Sequence, residues 1–248
     1  MMPKVDLFLP LPIMNAAGSL GFAPEPGGLV DFDRLGAFVT NPISLRPRSP
    51  AQNRLTLPYP GGFLLHTGHP NPGFREAVRR YKPRWERSTL PVFVHLLAEG
   101  PEALASMVSQ LENIEGVSGV EIGLPPEADA QIALDYTRAA AGELPVVVRL
   151  PLESAAELAL ALAASGATAF SLSPPRGSLP DSQGKTRRGR LYGPAVFPQA
   201  LHMVELLAQG PLPVIGAGGI YNREDQDAML AAGAMAVQLD AVLWRGGW

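Results

Sequence analysis

The sequence predicts a single (β/α)8 barrel over residues 1–248, and three observations lead there. Eight short apolar runs recur along the chain, from Ile13–Asn15 to Ala236–Leu239, most of them separated by a segment of helical periodicity. Each run is continuously apolar rather than alternating, as in parallel strands buried on both faces. A length of 248 residues at 46% hydrophobic content also suits one large barrel core. A doubly wound open sheet is the alternative.

In chain order, Val5–Leu9 and Ile13–Asn15 are apolar runs separated by Pro10 and Pro12, which predicts an N-terminal hairpin leading into the first core strand. Gly18, Gly21, Gly27 and Gly28 make the next stretch a loop, and Ala37–Thr40 is the second strand. It stops at Asn41, which Pro42 keeps out of helical geometry. Ile43 to Pro72 is a long excursion rich in proline, with Arg46, Arg48 and Arg54. Such loops gather over binding sites. A helix from about Gly73 to Trp85 is expected to be interrupted near Pro83.

Strands then follow at Val92–Leu97, Gly119–Ile122, Val146–Leu150 and Thr168–Leu172. Pro101 opens a helix to Glu112 from the first-turn position where proline is tolerated, and another helix covers roughly Glu127 to Ala141. Ser154 and Glu157 spell a capping box for a helix ending at Gly166. A last full helix around Pro194–Ala208 leads to Pro213–Ile215, the seventh strand. Too few residues follow Asp240 for a full eighth helix, so a truncated C-terminal helix is expected, with Trp244 and Trp248 covering the barrel wall or meeting a partner.

The stretch Val214–Asp240 reads as strand, glycine turn, helix and strand. Asn222 can cap the N–H of Asp225, and Gly233 closes the helix. Gly216, Gly218 and Gly219 let backbone N–H groups approach an anion at a helix N-terminus, which suggests a phosphate. A tight turn that needs glycine only for geometry explains them equally well, and no dinucleotide fingerprint is present because the third glycine is missing.

Composition narrows the function. A formal charge of −3 offers no general attraction to nucleic acid, and no apolar run approaches the roughly 20 residues of a membrane span. Met1–Pro12 lacks the apolar centre of a signal peptide, so a cytoplasmic protein is expected. The absence of cysteine excludes disulfides, thiolate metal sites and a cysteine nucleophile or base.

Active sites of such barrels lie at the carboxyl ends of the strands. That singles out Asn15, Asn41, His66, His69, His95, Gly123–Pro126, Arg149, Ser173–Arg176, Gly218, Gly219 and Asp240. The three histidines lack an acidic ligand at a recognised metal spacing, so polar lining is preferred over a metal centre. Glu121 shares a face with Gly123 and needs a buried partner, for which Arg149 is the expected choice. The basic run Arg176–Arg190 is read either as a mobile anion-gripping flap or as a solvated disordered loop.

These strand ends resemble the dihydroorotate dehydrogenase family of FMN enzymes in pyrimidine biosynthesis. Asn15-Ala16-Ala17-Gly18 resembles its flavin-contacting turn and Val39-Thr40-Asn41 its second strand. Arg46-Pro47-Arg48 with Asn53-Arg54 resembles the linker that follows, and Gly68 with Asn71-Pro72-Gly73 its substrate loop. Val120-Glu121-Ile122 is similar to the strand before the catalytic loop, Leu191-Tyr192-Gly193-Pro194-Ala195 to the family's L-S-G-P-A, and Ile215–Ile220 to its phosphate turn. The resemblance implies an oxidoreductase with FMN held by Ala17, Gly18, Arg149, Gly193, Gly218 and Gly219. It places Asn71 on a small-molecule substrate and leaves room for a homodimer.

The chemistry-bearing positions depart from that pattern. The loop that holds the family's cysteine or serine base reads Gly123-Leu124-Pro125-Pro126-Glu127, where Glu127 is a weak substitute. The family's two lysines are Asn41 and Arg149, and its substrate asparagines fall on Leu65 and near Pro174. The glycine or tyrosine and the threonine that help hold phosphate after strand eight are Asp240 and Ala241. A carboxylate about 4 Å from a phosphate charge would cost on the order of 4 kcal/mol at an effective dielectric near 20, or several decades of FMN affinity. Pairing with Arg223 or Arg245 would remove that penalty. Two functions therefore stand side by side: a divergent FMN oxidoreductase whose own base is not visible, and a repurposed or catalytically degenerate barrel without flavin that keeps at most an anion or phosphate site.

Overall fold

The computed structural model describes residues 7–25, 30–245 and 248. Eight parallel strands form the barrel. In spatial order they are β1 (Ile13–Asn15), β13 (Ala236–Leu239), β12 (Val214–Ala217), β9 (Ala169–Ser173), β8 (Val146–Pro151), β7 (Val117–Gly123), β6 (Val92–Leu97) and β2 (Phe38–Val39). A parallel bridge between Met14 and Ala37 closes the ring. Backbone pairing at this seam is sparse, and the buried Asn15 side chain supplements it. Its Nδ2 donates to Val39 O (2.7 Å), and its Oδ1 accepts from Val39 N (2.8 Å). Asn15, a strand-end candidate, thus serves closure.

Helices α1 (Phe74–Trp85), α2 (Pro101–Leu111), α3 (Ala130–Ala140), α4 (Ala155–Leu162), α5 (Phe197–Leu207) and α6 (Arg223–Ala231) surround the strands. Their apolar stripes meet the outward faces of the strands in one large cluster, while Met14, Val39, Phe93, Val147, Ile215 and Ala236 fill the barrel interior. The predicted cap at Asn222 forms, accepting from Asp225 N (2.8 Å), whereas the helix expected from about Glu127 starts at Ala130 because Asp129 caps Ile132 N (2.8 Å).

Four expectations need correction. Helix α1 continues through Pro83, because proline lies in its last turn and the fully buried Trp85 anchors the end by donating to Phe22 O (2.8 Å). Ser154 makes no side-chain cap bond, since the chain enters α4 from a 3-10 turn over Leu152–Ser154 and Ser154 lacks extended cap geometry. The N-terminal hairpin is not seen: Leu7–Leu9 carry no strand, and Val5 and Asp6 lie outside the described residues, as do Gly27 and Gly28. The truncated C-terminal helix is a 3-10 helix over Ala241–Arg245 and Trp248 packs against the outer cluster as expected, but Trp244 goes to the carboxyl face rather than to the barrel wall.

The two stretches read as loops are largely ordered sheet. Within the excursion, β3 (Ile43–Ser44) pairs with β6, and β4 (Leu55–Tyr59) and β5 (Gly62–His66) form a hairpin. The basic run forms a second hairpin, β10 (Arg176–Pro180) with β11 (Thr186–Tyr192). Antiparallel pairing of β11 with β5 brings Arg190 opposite Leu65 and Tyr192 opposite Phe63, joining the hairpins into one four-stranded sheet at the carboxyl end of the barrel. Asp181 holds the second hairpin's turn, accepting from Gln183 N, Lys185 N and Arg187 Nε.

Candidate functional site

The mouth of the barrel is a cavity of about 350 Å3 between the strand ends and the hairpin sheet, with Ala17, His95, Gly123, Arg149, Arg190 and Tyr192 among its walls. A second cavity of about 380 Å3 lies within the hairpin sheet and takes in His66 and Arg188. His69, Arg176, Arg190 and Tyr192 line both. Of the strand-end residues singled out from sequence, His69, His95, Gly123–Pro126, Arg149 and Ser173–Arg176 with the exception of Pro175 converge on the first cavity.

The mouth is cationic. Arg149 donates to Leu172 O (3.4 Å) and Arg190 to Pro174 O (3.3 Å), so each guanidinium is aimed by a strand-end carbonyl. Neither has a carboxylate within ion-pair distance among the described residues, and Glu153 is the one acidic side chain on the wall. Burial and the Arg149 charge lower Arg190 to about 10, which leaves it charged at neutral pH. His69 has a left-handed backbone (φ 52°), a strain on the order of 1 kcal/mol of the kind that collects at ligand sites. Burial, with the charge of Arg190, lowers its imidazole to about 3 and keeps it neutral.

Below the mouth, the expected Glu121–Arg149 pair does not form. The β6–β7 register places His95 opposite Glu121, and His95 Nδ1 lies 2.7 Å from Glu121 Oε2. Ser171 Oγ and Gln238 Nε2 both donate to Oε1 (2.7 Å each). Burial alone would raise this carboxyl, but the His95 hydrogen bond and the Arg149 charge bring it down to about 2. Burial lowers His95, against the pull of Glu121, so the pair is a carboxylate beside a neutral imidazole. Counting inward-facing positions on two adjacent apolar strands would have revealed this contact; the attraction of opposite formal charges pointed instead to Arg149.

The glycine-turn side has a different character. Gly218 (φ 112°) and Gly219 (φ 72°) have positive φ, and a Cβ on Gly219 would strike the backbone of Phe197. Their N–H groups have no protein acceptor among the described residues. The neighbouring N–H of Tyr221 is taken by Asp225 Oδ2 (2.8 Å). At the end of β13, Asp240 is 7% exposed and accepts a hydrogen bond from Ala241 N. Burial raises its carboxyl to about 6, and it pairs with neither Arg223 nor Arg245 among the described residues.

Tyr192 stacks on Phe63 (ring centroids 5.5 Å apart), and Trp244 tilts against both at 6.0 and 5.9 Å. Trp244 Nε1 also donates to Ser19 O (3.0 Å), tying the end of the chain to the turn after β1. Gly193 (φ 121°) lets this cluster close, because a Cβ there would meet Gly61 and Gly62 in the β4–β5 turn. Gly18 (φ 94°) has nothing nearer to its Cβ position than Pro42 Cδ at 3.9 Å.

Of the residues expected to hold FMN, Ala17 and Arg149 line the mouth cavity, whereas Gly18, Gly193, Gly218 and Gly219 line neither cavity. Asn71 is 7% exposed and works within its own loop. Its Oδ1 accepts from Ser44 N (3.2 Å) and Gly73 N (3.0 Å), and its Nδ2 donates to Ser44 Oγ (2.9 Å) and His69 O (3.0 Å). Glu127 is exposed and stands away from the cavity wall.

Comparison with known proteins identifies the family. A family model described as dihydroorotate dehydrogenase matches residues 5–248. The catalytic subunits of dihydroorotate dehydrogenase B (NAD(+)) from Pelobacter propionicus and Maridesulfovibrio salexigens are each 32% identical over 251 residues, covering 92% of this chain and 82% of theirs. That of Desulforudis audaxviator is 30% identical over 254 residues, covering 93% and 82%. Among solved structures, the dihydroorotate dehydrogenase of Eimeria tenella in complex with ferulenol shares the fold, with a TM-score of 0.72 at 14% identity over 95% of this chain and 77% of that one. The chain belongs to the dihydroorotate dehydrogenase family.

Proposed function

We propose that this chain binds a small organic anion at its mouth, as a dihydroorotate dehydrogenase-like barrel that has given up the family's usual reaction. One observation carries the reading: Arg149, Arg176 and Arg190 converge on a cavity that presents only Glu153 against them. Unpaired, partly buried guanidinium groups are strong carboxylate and phosphate ligands. The prolines at the position of the family's base support the loss of that reaction, since Pro125 and Pro126 carry no group able to take a proton.

FMN fits these residues poorly. The amide after β13 that would face a phosphate is occupied by the Asp240 carboxylate, and the bulk of Tyr192 stands where the family has serine. Neither cavity runs from Ala17 and Arg149 to the glycine turn, as a bound mononucleotide would require. A flavin-bearing oxidoreductase is the second reading, favoured by the unoccupied N–H groups of Gly218 and Gly219. Its flavin would supply hydride acceptance.

The visible spectrum of the purified protein separates the two. The first reading expects a colourless protein that stays so after incubation with FMN, together with saturable binding of orotate. A yellow protein whose flavin bleaches on anaerobic addition of dihydroorotate overturns it. No described helix is long and apolar enough to cross a membrane. A cytoplasmic location fits that observation, as does the absence of any basic excess that would attract nucleic acid. The relatives are named as catalytic subunits, so association with another chain, or as a homodimer, belongs to the same proposal.

A further inference from the structure

Glu121, His95, Ser171 and Gln238 meet in a barrel interior that is otherwise apolar. Donors on three other strands, His95 on β6, Ser171 on β9 and Gln238 on β13, fix the Glu121 carboxylate. An ionised carboxylate 2.7 Å from Nδ1 puts the imidazole proton on Nδ1 and leaves the lone pair on Nε2. The His95 ring lines the mouth cavity, and no group among the described residues hydrogen-bonds Nε2. A Cβ on Gly123 would lie 3.1 Å from that nitrogen, so a glycine at the end of β7 keeps the approach to it clear.

We propose that His95 is a proton acceptor, oriented by Glu121, for a small carboxylate-bearing carbon acid seated against Arg149 and Arg190; this rests on the anion reading above. The C–H bond next to a ligand carbonyl breaks, and its electron pair stays on the ligand as an enolate. The proton bonds to Nε2, and Glu121 stabilises the imidazolium that results. The step is reversible and needs no oxidant. Besides Glu121, the charged or titratable groups facing the ring are Arg149 on β8, Arg190 on β11 and His69 before α1. The arginines hold the ring neutral in its resting state and attract the ligand's charge. With a cysteine-free chain and prolines in the base loop, His69 and His95 are the imidazoles on the mouth wall, and among the described residues only His95 has a carboxylate on its other nitrogen.

The test is nitrogen-15 NMR of the full chain labelled at histidine. The His95 signals are assigned by their loss in His95→Gln or, if that variant does not fold, by elimination with His66→Gln, His69→Gln and His202→Gln. At neutral pH, Nδ1 should carry the proton and Nε2 none, and orotate should shift Nε2. A proton on Nε2, or on both nitrogens, overturns the dyad whether or not the anion binds. In deuterium oxide the protein should exchange the proton next to the carbonyl of dihydroorotate at least about tenfold faster than buffer, and His95→Gln should abolish the gain. Glu121→Gln should lower the exchange rate and move its pH profile, which a merely structural glutamate would not do. Exchange that persists in folded His95→Gln overturns the proposal. Orotate that fails to bind, with Nε2 bare, defeats the anion reading alone.

Discussion

The glycine turn after β12 and the arginine-lined mouth sit at the same end of the barrel and follow opposite rules. At the turn the backbone keeps the family pattern because packing demands it: Gly219 has positive φ, and the space a Cβ would fill belongs to Phe197. Around it, Asp240 is buried and Tyr192 packs against Phe63 and Trp244. At the mouth, Arg149 at the end of β8 and Arg176 and Arg190 of the β10–β11 hairpin make a cationic cavity. Packing thus fixes the shape of the turn, while side chains set the charge of the mouth.

The largest expected effect tests the packing half of that contrast. Gly219→Ala combines left-handed strain with a backbone clash and should destabilise by about 2 to 5 kcal/mol in denaturant unfolding. Gly18→Ala has the same sign of φ but open space around it, so it should lose only about 1 to 2 kcal/mol. Equal losses at the two glycines would mean that packing does not explain the shape of the turn.

Next comes the buried carboxylate. Asp240 is raised from 3.8 to about 6 in the fold, so the folded state favours its protonated form. The resulting penalty is absent below pH 4, grows as pH rises, and is complete above about pH 6. Asp240→Asn should thus stabilise the protein by about 3 kcal/mol at pH 8 and by almost nothing at pH 4. A gain independent of pH would show that Asp240 is not a buried acid.

The smallest effect concerns the mouth. Arg190→Gln should weaken orotate binding about tenfold to a hundredfold by calorimetry, the worth of one charge-assisted hydrogen bond. The exposed Arg188→Gln, on the same strand, should change it little. Equal losses would point to a diffuse field rather than a built site.

Much of the fold was legible in advance. All eight barrel strands and the six helices lie near the spans that apolar runs and helical periodicity give them, because those signals are local, although the Ser154 cap does not form and α4 stops at Leu162 rather than at Gly166. The hairpin sheet was not legible: Arg190 pairs with Leu65 across more than a hundred residues, and nothing local in a proline-rich stretch or a basic run announces that partnership. The pairing Glu121–His95 was missed for a related reason. It depends on the register between two apolar strands, and only His95 Nδ1 lies on the side that meets the carboxylate.

By itself the sequence determined the barrel and its family, since these follow from periodicity, turn chemistry and residue identity at the strand ends. Tertiary structure alone decided that the arginines of β8 and the β10–β11 hairpin meet at the mouth, that Asp240 is buried with no ion-pair partner among the described residues, and that Tyr192 packs against Phe63 and Trp244. Those outcomes rest on strand register and long-range packing, where a side chain's neighbours are residues the chain meets only after it has folded.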